Sequence, residues 1–406
     1  MVVYDSRRKR VGLGREIGGG GEAIVYEVVG RPDLLAKIYN PSPLPGYDQK
    51  LAWLLANPPD NPTRALGHAS IAWPLDLLYN DRGQFVGYLM PYIQNAVSLL
   101  DVFNPRCRAQ TLPGFNWKYL HRTAHNLAAA LGALHRRGYL VGDLNESNVM
   151  VTPSALVTMI DTDSFQVQEQ SGARLVIYPC PVGKPEYTPP ELQGRYLQGT
   201  QQLPEHDCFG LGVLIFQLLM EGSHPFRARW LGGGDPPPIE ERIRQGCFPY
   251  VKSPPCPVAP PRTLSLDMLH PRVADLVRRC FVDGHHDPRR RPPPGEWERA
   301  ITEAEKTLVT CRNGHYYSNH LRTCPRCGAK RKGARVPLRS PQPVAPPPVP
   351  PPLAAVTCPN CGALNAPGLL YCQGCESPLQ PVVCTHCGYR KVPGSAACCP
   401  RCGKVV

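Results

Sequence analysis

The chain has 406 residues, a formal charge of +13, 49 prolines and 18 cysteines, which is too long for one ordinary core and suits two or three units. No uninterrupted apolar run reaches membrane-spanning length, and the basic start (Arg7, Arg8, Lys9, Arg10) is not followed by the apolar stretch of an export signal, so a cytoplasmic location without a membrane partner is expected. Apart from that start and Lys330 to Arg339, lysines and arginines are scattered, which disfavours nucleic acid as a partner.

In chain order, IGGGGEAIVYEV (Ile17 to Val28) is a glycine-rich turn between two apolar, β-branched runs. Gly18 and Gly20 let the backbone approach phosphate oxygens that a side chain would exclude. Ile17, Gly19, Gly21, Glu22, Ala23 and Val25 complete the candidate nucleotide loop. LLAKIY (Leu34 to Tyr39) reads as a buried strand carrying one lysine, Lys37, a point charge suited to phosphate. YDQKLAWLLANPP predicts a helix with Leu51, Leu54 and Leu55 on one face. The apolar strand FVGYLM then leads into Met90 to Ile93. In YLVGDLNESNVMV (Tyr139 to Val151), Asp143 is followed by Asn148, and a short apolar strand brings Asp161 in VTMIDTDSF. Magnesium is a hard cation that takes oxygen ligands, so Asp161 and Asn148 suit a metal bridging phosphates. Asp143 suits the base that receives the proton of an attacking hydroxyl. Together these residues point to phosphoryl transfer from ATP.

Three further segments follow in order. PVGKPEYTPPEL (Pro181 to Leu192) contains Glu191, HDCFGLGVLIFQLLMEGSHPF (His206 to Phe226) carries Asp207 as its second residue, and DPRRRPP (Asp287 to Pro293) contains Arg291. From about Val11 to about Leu308 the chain resembles a eukaryotic-type Ser/Thr protein kinase. It is most similar to a bacterial group marked by GDLN, IDTDSFQ, PEYTPPEL and a zinc-ribbon tail. The resemblance implies an α+β, bilobal kinase-like fold, with an N-lobe over 11–93 and a C-lobe over 94–308. It also implies ATP and magnesium as cofactors, adenine contacts at Met90 and Tyr92, and Ser/Thr hydroxyls of a protein substrate as acceptors. Asp207 would brace the catalytic loop, and Arg291 would pair with Glu191.

The chain departs from that pattern at named places. Val141-Gly142-Asp143 replaces His-Arg-Asp, which removes the arginine that receives an activation-loop phosphate. Asp161-Thr162-Asp163 replaces Asp-Phe-Gly, with Asp163 expected as a solvated turn residue rather than the alternative, a further acidic group near magnesium. No glutamate follows to pair with Lys37, and Asp48 and Gln49 are the nearest substitutes. Asn145 stands where Ser/Thr kinases carry a lysine, and Lys184 is expected to supply that cation beside Asp143. A pseudokinase scaffold that binds nucleotide and recruits partners is the alternative.

Twelve cysteines lie beyond residue 310. Eleven of them, with His315, form three four-ligand sets, leaving Cys398 as a spare: Cys311, His315, Cys324 and Cys327; Cys358, Cys361, Cys372 and Cys375; Cys384, Cys387, Cys399 and Cys402. Paired C-x-x-C knuckles suit tetrahedral zinc, and four protein ligands leave no open position, so three structural ions are expected. The ribbons are placed at 309–329, 357–380 and 381–406, as docking or regulatory modules for a protein partner. Residues 330–356 are rich in proline and form a semi-rigid spacer. Cys107, Cys180, Cys208, Cys247, Cys256 and Cys280 lack ligand spacing and read as small buried or incidental residues.

Overall fold

A computed structural model describes residues 2–40, 45–171, 174–261, 265–331, 356–359, 361–365, 379, 382–383 and 390–391. The chain divides into two compact units, Met1–Gly333 and Ala334–Val406.

The first unit opens with a seven-stranded antiparallel sheet built from β1 (Val3–Tyr4), β2 (Arg10–Val11), β3 (Leu13–Gly19), β4 (Ala23–Val28), β5 (Arg31–Tyr39), β6 (Asp76–Tyr79) and β7 (Phe85–Pro91), in the order β2-β1-β6-β7-β5-β4-β3. The sheet thus starts at Val3, eight residues before the expected Val11. Val3 is buried in a small core with Val28, Leu34, Ala36, Ile38, Leu78 and Leu89. Alternation along β5 sends Leu34, Ala36 and Ile38 into that core. The opposite face carries Leu35, Lys37 and Tyr39. Helix α1 (Tyr47–Ala56) covers this face with Leu51 and Leu54 fully buried and Leu55 partly so.

The second lobe is mostly helical. After β8 (Val97–Ser98) come α2 (Leu99–Phe103), α3 (Pro105–Thr111) and α4 (Trp117–Arg136). Hairpin β9 (Val149–Val151) and β10 (Val157–Met159) frames the Asp161 turn, and β11 (Val167–Ser171) pairs with β12 (Arg174–Tyr178). Helix α5 (Pro204–Leu219) is buried at every residue from His206 to Leu219, as expected for an apolar helix at the centre of a lobe. Beyond it lie β13 (Arg229–Trp230), α6 (Ile239–Arg244), β14 (Val258–Ala259) and α7 (Pro271–Arg278). A π-helical turn (Arg279–Asp283), α8 (Gly284–His286) and α9 (Pro294–Lys306) follow, with α9 packed on α4. Cys247 and Cys256, expected as small buried or incidental residues, are buried and form a disulfide. The segment after α6 folds back to bring their Cα atoms to 5.3 Å, a closure that spacing alone does not reveal. Cys180, Cys208 and Cys280 are buried thiols.

The first ribbon belongs to this same unit. Strands β15 (Leu308–Thr310) and β16 (Tyr316–Ser318) pair antiparallel, and Tyr317 is buried in the main core. In the second unit, β17 (Val356–Thr357) pairs with β18 (Leu364–Asn365), and β19 (Val382–Val383) with β20 (Arg390–Lys391). Cys358 packs against Leu379 and Ala363. The expected ligands Cys372, Cys375, Cys384, Cys387, Cys399 and Cys402, and the proline-rich spacer from 332 to 355, lie outside the described residues.

Candidate active site

A cleft of about 540 Å³ is lined by residues from the sheet, from Pro91 to Ile93 and from the hairpin below. Ile17, Gly18, Val25, Lys37, Met90, Tyr92, Asn148 and Asp161, all expected there, line it. Leu35, Ala72, Tyr88, Met150 and Ile160 supply further walls. Gly19, Gly20, Gly21, Glu22 and Ala23 form the β3–β4 turn, outside the lining. That turn is pinned by the Gly20 N–H on the Ala23 carbonyl (2.9 Å) and by the Asn40 N–H on the Glu22 carbonyl (2.8 Å).

Below the cleft, the loop after α4 holds Asp143. Its Oδ1 accepts the backbone N–H of Lys184 at 3.0 Å, and Asn148 Nδ2 donates to its carbonyl at 3.0 Å and to Oδ2 at 3.3 Å. Burial raises the Asp143 carboxyl above its usual range, against the lowering effect of these bonds. With its nitrogen so engaged, Asn148 has its carbonyl oxygen left for a cation, and Asp161 adds a carboxylate at φ 61° on the same wall. This oxygen pair fits the expected magnesium.

The loop is fixed from behind by Asp207. Its carboxylate accepts Val141 N–H at 2.8 Å and Gly142 N–H at 2.9 Å and faces His135 Nε2 at 2.9 Å. Gly142 has φ 75°, and a Cβ there would stand 2.5 Å from the Cβ of Cys180. An arginine at this position has no room, which explains the missing His-Arg-Asp arginine locally. Glu191 takes Arg291 through two hydrogen bonds of 2.6 and 2.7 Å.

Three expectations need correction. Asp48 and Gln49 do not hold Lys37: its ammonium lies 2.5 Å from Asp161 Oδ1 and 2.7 Å from Asp163 Oδ1. Asp163 is no solvated turn residue but is 3% exposed, accepting also the hydroxyls of Tyr39 at 2.7 Å and Tyr88 at 2.8 Å. Burial, which alone would raise its pKa, is outweighed by Lys37 and these bonds, and the carboxyl is held below its usual range. Lys184 meets Asp143 through its backbone, whereas its ammonium pairs with Glu146. Sequence reasoning missed Tyr39, Tyr88 and Lys50. Alternation from Lys37 points to Tyr39, but Tyr88 reaches the site only through the β5–β7 register that sets it opposite Lys37.

The ligand atoms of Cys311, His315, Cys324 and Cys327 all lie within 4.8 Å of one another. Three sulfurs and one imidazole at such spacing fit tetrahedral zinc.

The chain is 31% identical over 344 residues to the protein kinase YegI of Escherichia coli K12, an overlap of 82% of this chain and 51% of the relative. The chain is a kinase homologue. It spans about half the length of the curated relatives it matches first. Shorter stretches match the fission yeast meiosis-specific serine/threonine-protein kinase mek1, at 29% identity over 40% of this chain and 36% of that one. The human serine/threonine-protein kinase SBK2 matches at 36% over 25% of this chain and 28% of its own length. The double zinc ribbon family matches residues 358–403, which contain the eight cysteines of the second and third sets. The kinase homologue thus carries a kinase-like lobed unit and a zinc-ribbon tail. Among the described residues no helix is long and apolar enough to cross a membrane.

Proposed function

We propose that the kinase homologue transfers the γ-phosphoryl group of ATP to Ser/Thr hydroxyls of a protein substrate. The observation that carries this reading is the placement of Asp143 beside Asn148, next to a cleft holding Lys37 and Asp161. The apolar walls at Leu35, Ala72, Met90 and Met150 suit a base ring. Lys37 neutralises phosphate oxygens, while Asn148 and Asp161 would hold magnesium, which supplies charge neutralisation across the phosphates. Asp143 orients the acceptor hydroxyl and takes its proton, and its burial makes it a stronger acceptor than an exposed aspartate. Catalysis is then mainly positioning and charge placement. The zinc ribbons serve docking or regulation.

Transfer from labelled ATP and magnesium to the protein itself and to a generic basic acceptor tests this. Asp143→Asn and Asp161→Asn should each reduce transfer by at least about a hundredfold. A folded, zinc-loaded protein that transfers nothing would leave a nucleotide-binding scaffold as the function.

A further inference from the structure

Lys37 sits between two carboxylates that differ in placement. Asp161 is 36% exposed and lines the cleft, whereas the Asp163 side chain is 5% exposed and stands behind it. Asp163 is gripped by β5 through Lys37 and Tyr39 and by β7 through Tyr88. Helix α1 reaches the same turn with a cation: Lys50, 1% exposed, donates to the Asp163 carbonyl at 2.6 Å. The helix face that meets the lysine site therefore offers a positive group where an acidic one was expected. For stability alone, a buried ion pair is no better than well-packed apolar groups. What the Asp163 cage does is fix one negative charge at one point beside Lys37.

If Asp161 serves a metal, as proposed above, the anion left to hold Lys37 among the described residues is Asp163. Resting on that functional reading, we propose that Asp163 is the positioning residue for Lys37, supplying from the turn after β10 the charge that α1 lacks, and that Lys50 ties α1 to this turn. Without Asp163, Lys37 turns to Asp161 alone and is drawn off the phosphates.

A double-mutant cycle tests the proposal, with a fluorescent ATP analogue binding in the absence of magnesium and phosphoryl transfer to a basic acceptor as separate readouts. Asp163→Asn should weaken analogue binding and lower kcat/KM, each by about tenfold, while Asp48→Asn on α1 leaves both unchanged. In a Lys37→Met background, Asp163→Asn should cost less than about twofold, because residues acting through one another are not additive. Wild-type binding and turnover in Asp163→Asn would overturn the proposal. So would a loss that persists in full in the Lys37→Met background, which would mean that Asp163 acts through the fold. Should Asp163→Asn fail to fold, the Tyr39→Phe/Tyr88→Phe variant, which removes both hydroxyl donors but keeps the rings, enters the same cycle with the same criteria. A protein that binds the analogue but transfers no phosphate defeats the functional reading, while the binding cycle still decides the role of Asp163.

Discussion

Gly87 lies on β7 against β5, and a Cβ on it would lie 2.0 Å from the Lys37 carbonyl oxygen. Only glycine lets the two strands keep the register that sets Tyr88 against Lys37. Gly87→Ala should therefore push the strands apart, costing about 1–3 kcal/mol in urea unfolding and weakening nucleotide binding because Lys37 and Tyr88 move together. Unchanged stability and binding would show that the sheet absorbs the methyl. Glycine in a strand signals close backbone approach, so Gly87 was available to sequence reasoning, but the strand it approaches was not. The same holds for Asp163. Its neighbours in sequence are a threonine and a serine in a turn, and nothing local announces that Lys37, Tyr39 and Tyr88 converge on it from more than 70 residues away. Asp143, Asn148 and Asp161 were legible because their spacing along one short loop and hairpin already carries their geometry.

Elements with strong patterns were read correctly, as in the Lys37 strand and the α1 stripe. Weakly patterned ones were not: the two-residue strands β1 and β2 have no periodicity to detect, and α1 was read for its leucines while Lys50 on the same helix went unremarked. The first ribbon shows why an element's partners matter more than its own sequence. Its zinc knuckle was legible from cysteine spacing, yet its attachment was not. Tyr317 enters the main core, His320 Nε2 faces the Asp267 carbonyl at 3.0 Å, and Arg326, between two zinc ligands, pairs with Glu221, which also takes Arg108 at 2.5 Å. A ribbon so small depends on metal for its folding, and here its folding places Tyr317 in a shared core. Chelating the metal, or Cys311→Ser, should lower the melting midpoint of the lobed unit by several degrees, roughly 2–4 °C for each 1 kcal/mol lost in a unit of this size. Arg326→Ala keeps all four ligands and breaks only the Glu221 contact, so its shift should be smaller. A midpoint indifferent to chelation would mean that β15 and β16 hold without metal.

At the scale of the whole molecule, buried histidines set how the lobed unit responds to acid. His121 lies inside α4 with Nδ1 2.8 Å from the Trp117 carbonyl, and His224 bridges the Glu186 carbonyl at 2.9 Å and the Phe226 N–H at 3.2 Å. Burial holds both well below the usual histidine value, at about 4. His68, His206, His270 and His285 are displaced the same way, burial being the largest cause in each. Because these folded-state values are depressed, the unfolded chain takes up protons first as the pH falls below about 6.5. The stability they allow is present above that pH and is lost progressively towards pH 4. Each fully buried histidine accounts for roughly 2 kcal/mol of loss between pH 6.5 and 5, as an upper bound from its displacement. Glu191 acts in the same direction at lower pH: burial alone would raise it, but Arg291 holds its carboxyl down, and protonation then breaks the pair. Urea unfolding at pH 7 and pH 5 should show the drop, and His121→Gln or His224→Gln should each flatten it by about one proton's worth of slope. Equal stability at the two pH values would mean that these rings are hydrated or charged in the folded state. The first local effect of acid falls on His224: charging the ring places a proton on Nδ1, which can then no longer accept the Phe226 N–H, while Nε2 still donates to the Glu186 carbonyl, so the turn at Phe226 should loosen before the whole unit unfolds.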